Sequence, residues 1–257
     1  MIKREMYMSR IRPFIGSELI KVVTGIRRSG KSVMLELIKQ ELIESGVSTD
    51  NFISFNFEDM NYAALCNAKA LHDEITARAK SIQGKVYLFF DEIQEVTDWE
   101  KCVNSLRVSI DCDIYITGSN AKLLSGELAT YLAGRYVEFV IYPFSFAEFV
   151  DMYKSVIPQG SIQQCFHKYL IYGGMPYLGK LQYAEEPVRQ YLCDVFNSVQ
   201  LKDIIKRNNV RDVDLLERIM AYIMANVGAT FSASSLSKFL KNEHRNVAPE
   251  TILNYIK

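Results

Sequence analysis

The residues best equipped for chemistry are Gly25, Ile26, Arg27, Arg28, Ser29, Gly30, Lys31 and Ser32, which read GIRRSGKS and lead into Val33. They match the pattern G-x-x-x-x-G-K-[ST], in which backbone N–H groups at a helix N-terminus meet phosphate oxygens. Glycine at 25 and 30 lets the backbone curl without Cβ clashes. In that pattern Lys31 reaches the β and γ phosphates of a nucleotide, and the Ser32 hydroxyl ligates Mg²⁺. Phosphate binding of this kind serves three ends: hydrolysis that drives motion, transfer to another molecule, or a bound nucleotide that locks a shape.

Magnesium needs further oxygens, so a carboxylate must lie near the loop. The stretch VYLFFDEIQ (86–94) supplies one, because an apolar strand carries Asp91 to the C-terminal edge of a sheet, where open α/β folds bind ligands. Asp91 is read as the metal-linked acid. Glu92 points differently and is placed to polarise an attacking water. A third strand ends at TGSN (117–120), where Ser119 or Asn120 has the chemistry to hydrogen-bond the water or the γ phosphate, although Gly-Ser-Asn is equally a turn signal. Arg135, in LAGRYVEF, offers a guanidinium to developing phosphate charge, in cis or from a neighbour; the competing reading is a surface salt bridge. Arg27 and Arg28 add positive potential to the loop or face water. SNAK (119–122) is only faintly like a guanine-recognition loop, and N-K-x-D occurs nowhere, which favours ATP.

Positioning these residues requires a particular scaffold. LIKVVT (19–24) is a short β-branched run ending at the first loop glycine, and SVMLELIKQELIES carries helical spacing up to Gly46. Strands follow at 51–57, 85–90, 112–117 and 136–142, with helices at 68–82 and around Trp99 to Val108. This alternation predicts an α/β fold: a parallel sheet covered by helices. Ser145 and Glu148 form a capping box that starts a helix at SFAEFVDMY. From there the strands stop. Residues 160–228 read as helices broken at GGMP (173–176) and KRNNVRD (206–212). SASSLSKFL and APETILNYI then form two short helices, the second with Pro at its first position, as in a helix-turn-helix. Three segments are expected: a nucleotide-binding core at 1–145, a helical lid at 146–228 and a partial winged helix at 229–257.

Composition narrows the classes. The 257 residues are 49% hydrophobic and 23% charged, with zero formal net charge, so the chain as a whole attracts no polyanion. Five cysteines without ligand spacing predict free thiols and a reducing cytoplasm. No apolar run suggests a membrane span or a signal peptide. His72, His167 and His244 lack ligand spacing, which argues against a metal other than Mg²⁺.

With these residues placed, the chain resembles the prokaryotic AAA-type P-loop ATPases. The likeness rests on GIRRSGKS, FFDEIQ with Trp99 downstream, ITGSNAKLLSGELATYLAGRYVEF, YPFSFAEF and the YGGMP turn, and covers most of residues 1–180. It implies an additional-strand P-loop sheet, a helical lid and a winged helix. It assigns Lys31 and Ser32 to Walker A, Asp91 and Glu92 to Walker B, Ser119 or Asn120 to a sensor, and Arg135 to a sensor or finger. It also implies ATP and Mg²⁺ as ligands and a homo-oligomer as an open option. Members of the group commonly continue into a nuclease-like C-terminal domain; this sequence ends before one, which suggests a truncated chain.

The leading expectation is an ATP-hydrolysing switch or motor, since an acid beside the metal ligand suits water activation. The alternative is a DNA-binding or protein-docking module that uses ATP as a structural lock. Residues 197–257 contain nine Lys and Arg against six Asp and Glu, including Lys238, Lys241 and Arg245 around the helical pair, which is a weak basic excess for DNA.

Overall fold

The computed structural model describes residues 2–118, 132, 134–199, 204–205 and 210–256. Five strands form one parallel sheet: β1 (Ile20–Thr24), β2 (Phe52–Asn56), β3 (Val86–Asp91), β4 (Cys112–Thr117) and β5 (Tyr136–Val140). Their order is β2-β3-β4-β1-β5, so β4 is inserted between β1 and β3. The helices in chain order are α1 (Glu5–Ile11), α2 (Lys31–Glu44), α3 (Ala68–Ala79), α4 (Trp99–Ser109), α5 (Phe146–Val156), α6 (Ile162–Tyr172), α7 (Glu185–Val199), α8 (Val213–Ala225), α9 (Ala233–Asn242) and α10 (Pro249–Ile256).

The strands read as continuous apolar runs because both faces of the sheet are covered. Successive side chains point to opposite faces. Ile20 and Val22 of β1, Leu88 and Phe90 of β3, and Ile114 and Ile116 of β4 pack with Leu71 and Ile75 of α3 and with Val103 and Leu106 of α4. The intervening Val23, Phe89 and Tyr115 pack with Met34, Leu35 and Ile38 of α2 and with Tyr7, Met8 and Ile11 of α1. Helix α2 stops at Glu44, and Gly46 just beyond it adopts φ 97°, the left-handed geometry that ends helices.

One polar pair interrupts this pattern. Lys21 of β1 and Asp113 of β4 are both fully buried and form an ion pair. Asp113 also accepts from the Tyr115 hydroxyl at 2.8 Å and from the Gly16 N–H at 2.7 Å, while the Lys21 ammonium donates to the Ser17 carbonyl at 3.0 Å. Burial holds the Lys21 ammonium below its usual pKa, even though Asp113 works in the opposite direction. Removing one partner of such a pair leaves a buried charge uncompensated. Asp113→Asn is therefore expected to lower unfolding stability by about 3–5 kcal/mol. Urea denaturation checks this; an unchanged midpoint would mean that water reaches Lys21.

Contacts divide the chain into two compact units, Met1–Phe196 and Asn197–Lys257. These differ from the three segments expected from sequence. The first unit extends past 145 because the helices that follow the sheet share a cluster of Phe144, Phe149, Tyr153, Cys165, Leu178 and Val188, against which Ile2 also packs. The expected capping box is present: Ser145 starts α5, and the Glu148 carboxylate accepts from the Ser145 N–H at 2.8 Å. In the second unit, Leu215 and Ile219 of α8 pack with Leu236 and Leu240 of α9 and Ile252 of α10. The two short final helices appear where the sequence places them, with Pro249 opening the second.

All five cysteines are free. Burial pushes the Cys102 thiol up to about 12 and the Cys112 thiol up to about 11, so neither is a thiolate near neutrality.

Candidate functional site

The glycine loop joins β1 to α2, and its geometry depends on both glycines. Gly25 has φ 143°, and a Cβ there would lie 2.2 Å from the Ile141 carbonyl oxygen, so no larger residue fits. Gly30 has φ 102°, a region open chiefly to glycine. Between them Arg28 also takes a positive φ of 62°. Ile26 is exposed, whereas Ser29 is fully buried, and its hydroxyl has no partner among the described residues. The first-turn N–H groups of α2 lack carbonyls of the preceding turn within the helix, so this end favours anions. Lys31 opens that turn; Ser32 and Val33 follow it on the exposed side.

Parallel register brings the other strand ends to the same edge. Val23 of β1 pairs with Thr117 of β4, and Phe90 of β3 pairs with Ile116, so Asp91 and Thr117 leave the sheet beside the loop. Thr117, fully buried, donates its hydroxyl to the Asp91 carboxylate and accepts the Glu92 N–H at 3.1 Å. It thus ties the two acids together and orients both. Glu92 sits at φ 54°, which turns its carboxylate out of line with Asp91. Its Oε1 is 3.9 Å from the Lys31 Nζ, and its Oε2 accepts from Gln94. The Lys31 ammonium also donates to the Ile26 carbonyl at 3.3 Å, folding back over the loop.

The donor set suits a polyphosphate with a divalent cation: a backbone cradle that a Cβ would fill, one ammonium, a hydroxyl and two carboxylates at a single edge. Among the described residues no cluster of three or more His, Cys, Asp or Glu offers a competing metal site.

Two sequence expectations fare differently. Ser119 and Asn120 lie outside the described residues. Arg135 lies at the other end of the sheet. Its carbonyl accepts from the N–H of Ile20 at 3.0 Å, at the start of β1, and its guanidinium donates to the Asn104 Oδ1 at 2.9 Å. Four strand steps, about 13 Å, separate Ile20 from the last residue before the loop. The side chain is thus held on α4, at the end of β1 and β5 opposite the glycine loop.

Sequence reasoning passed over two residues that the structure brings in. Thr117 reads as the last residue of a strand; the signal available was its position opposite Asp91 once β4 is inserted beside β3. Arg4 lies in a charged N-terminal stretch and is nevertheless only 2% exposed, donating to the Ser29 carbonyl at 3.0 Å.

A family model described as AAA domain matches residues 17–150, and one described as a domain of unknown function, DUF8612, matches residues 163–257. The first spans more than half of the chain, and the protein belongs to the AAA domain family. An uncharacterized protein of Haemophilus influenzae is 40% identical over 258 residues, a match covering 100% of this chain and 64% of the relative. An uncharacterized protein of Methanocaldococcus jannaschii is 31% identical over 251 residues, covering 93% of this chain and 54% of the relative. The chain thus spans between half and two thirds of the length of these curated relatives. AMPPCP-bound DnaA from Aquifex aeolicus aligns with a TM-score of 0.50 at 14% identity, over 99% of this chain and 87% of that one. Likeness at that identity concerns the fold, an AAA-type P-loop sheet with attached helices. No helix among the described residues is long and apolar enough to cross a membrane.

Proposed function

We propose that the protein is an ATP- and Mg²⁺-dependent ATPase of the AAA type, in which nucleotide state sets the arrangement of the helices after residue 145. The observation that carries this reading is the meeting of Lys31 with the Asp91–Glu92 pair, joined through Thr117, at the edge where the glycine loop opens. Lys31 and the N–H groups of the loop hold phosphate oxygens. The Ser32 hydroxyl and the Asp91 carboxylate are the residues that would hold Mg²⁺, which would supply charge neutralisation of the phosphates. Glu92, held off the Asp91 axis, takes the proton of an attacking water at its carboxylate. Arg135 acts on the phosphates of a neighbouring copy, because its own loop is out of reach; a homo-oligomer follows from this assignment.

Nucleotide choice is tested by competition between ATP and GTP in the presence of Mg²⁺. ATP is expected to bind more tightly. Failure to take up either nucleotide would remove the reading, tighter GTP binding would overturn the choice of base, and ATP uptake without turnover would leave the nucleotide as a lock.

The final helical pair is assigned to protein contact in preference to duplex DNA. Arg245 is engaged by Asp212 at 3.2 Å and by Asp214, and Arg218 of α8 by Asp214 at 3.1 Å and Glu243 at 2.6 Å, so these two arginines are internally neutralised, which leaves the exposed Lys238 and Lys241 as the basic residues on α9. Helix α10, the second of the pair, reads PETILNYI and carries no Lys or Arg, while Leu253 and Ile256 are exposed. Phosphate contacts produce affinity that falls as salt rises. Gel-shift titration at two salt concentrations is expected to show no salt-sensitive complex; a complex that weakens with salt would favour DNA.

A further inference from the structure

We infer that Arg4 is a positioning residue of the phosphate loop and that, with Glu148, it relays occupancy of that loop to the N-terminus of α5. This deepens the nucleotide-binding reading and rests on it.

The guanidinium of Arg4 spans three elements. Its Nε donates to the Glu148 Oε1 at 3.0 Å, one terminal nitrogen donates to the Ser29 carbonyl at 3.0 Å, and the other to the Tyr142 carbonyl at 2.8 Å and the Glu148 Oε2 at 3.3 Å. The rings of Tyr7 and Phe144 lie 4.6 and 5.1 Å from its central carbon. Arg4 itself takes φ 49°, an uncommon backbone state for a residue with a side chain.

On the loop side the contact acts through peptide geometry. The Ser29 carbonyl and the Gly30 N–H belong to one planar trans unit and point in opposite directions. Holding the carbonyl toward Arg4 therefore aims the Gly30 N–H away from it. Gly30 has no side chain to restrict it: a Cβ there would find its nearest neighbours at 3.6 Å, the Arg4 guanidinium, and 3.9 Å, the Pro176 ring. Its orientation thus depends on a tether of this kind. A reorientation of the 29–30 peptide by bound phosphate must be felt at the guanidinium.

On the helix side Glu148 has two duties. While it accepts from Arg4, its Oε2 also accepts from the Ser145 N–H at 2.8 Å and the Ser145 hydroxyl at 3.0 Å, closing the capping box of α5. Burial raises the Glu148 pKa, but the hydrogen bonds from Arg4 and Ser145 outweigh it, so the carboxylate lies below its ordinary value and stays charged near neutrality. The same carboxylate oxygen therefore answers to the loop and to the cap. A separate contact joins the loop to α7, where the Arg28 guanidinium sits 5.3 Å from the ring of Tyr191.

Hydrogen exchange separates a relay from a passive brace. In the wild type, saturating AMPPCP is expected to slow exchange of the amides at 142–150 by about fivefold. Arg4→Lys keeps the charge but cannot serve three acceptor sets with one nitrogen, so AMPPCP affinity is expected to fall about tenfold and the protection gain to vanish at saturation. Affinity within twofold of wild type, or a retained gain on top of uniformly faster exchange, would reduce Arg4 to a brace and overturn the inference. Should Arg4→Lys fail to fold, Glu148→Gln, which keeps an acceptor for Arg4, is expected to bind AMPPCP within threefold of wild type yet lose the gain; a retained gain overturns the relay. Wild-type protein that takes up no AMPPCP overturns the nucleotide reading and the relay together. Uptake without any gain overturns the relay alone.

Discussion

Lys31→Ala is expected to lower affinity for ATP about a hundredfold while the protein stays folded. Hydrogen bonds to charged groups contribute about 1.5–3 kcal/mol each, and an ammonium serving two phosphates stands to lose roughly 3 kcal/mol, a factor of about a hundred. The truncation also uncovers Glu92, whose Oε1 lies 3.9 Å from the Lys31 Nζ, so a carboxylate once neutralised would then repel the ligand. Folding should survive because the packing of α2 rests on Met34, Leu35, Leu37, Ile38 and Leu42, which the truncation leaves in place. A fluorescent-nucleotide titration beside a circular dichroism spectrum measures both quantities. Affinity within threefold of wild type, with an intact spectrum, would place the phosphates elsewhere.

For Glu92→Gln the expected pattern is the converse: ATP binding within a few-fold of wild type and turnover reduced about 10²–10⁴-fold, the range attributed to a positioned general base. Glutamine preserves the shape and an acceptor for Gln94 but cannot take a proton. The backbone link from the Glu92 N–H to Thr117 at 3.1 Å is untouched, so the Asp91 carboxylate keeps its orientation. Initial rates of phosphate release against ATP concentration separate the two effects, with the loss falling on kcat and not on KM. Unchanged turnover would remove Glu92 from the chemistry. Together the two variants test binding and proton transfer independently.

Much of the scaffold is legible from sequence because local signals and tertiary demands agree. Each of the five strands is a short apolar or β-branched run, and the Ser145–Glu148 box announces α5 through two hydrogen bonds that need no distant partner. The strand-end acids are legible for a related reason: an apolar run that stops at Asp91 and Glu92 must surface at the edge where the parallel strands end.

What escapes is what depends on strand order or on distant pairing. Lys21 and Asp113 look like ordinary strand charges until β4 is set beside β1, ninety-two residues apart in sequence, and each neutralises the other in the interior. Arg135 carries the right functional group, yet only the parallel pairing of Ile20 with Tyr136 reveals that it emerges at the far edge. Arg4 sits among charged residues in a seven-residue helix's approach, where local composition reads as solvated; its burial comes from Glu148, 144 positions later.

Insertion of the fourth strand has a further consequence for the order in which the molecule can be assembled. Among the described residues the neighbours of β1 in the sheet are β4 and β5, so as the polypeptide leaves the ribosome the glycine loop emerges early but lacks its flanking wall. The growing chain can pair β2 with β3 first, and only synthesis of the segment through Thr117 lets β4 enter between them and β1. Pairings this remote in sequence are slow to form. The nascent protein must therefore carry a first strand with unpaired edges through the translation of roughly ninety residues, an interval in which chaperone contact would protect it.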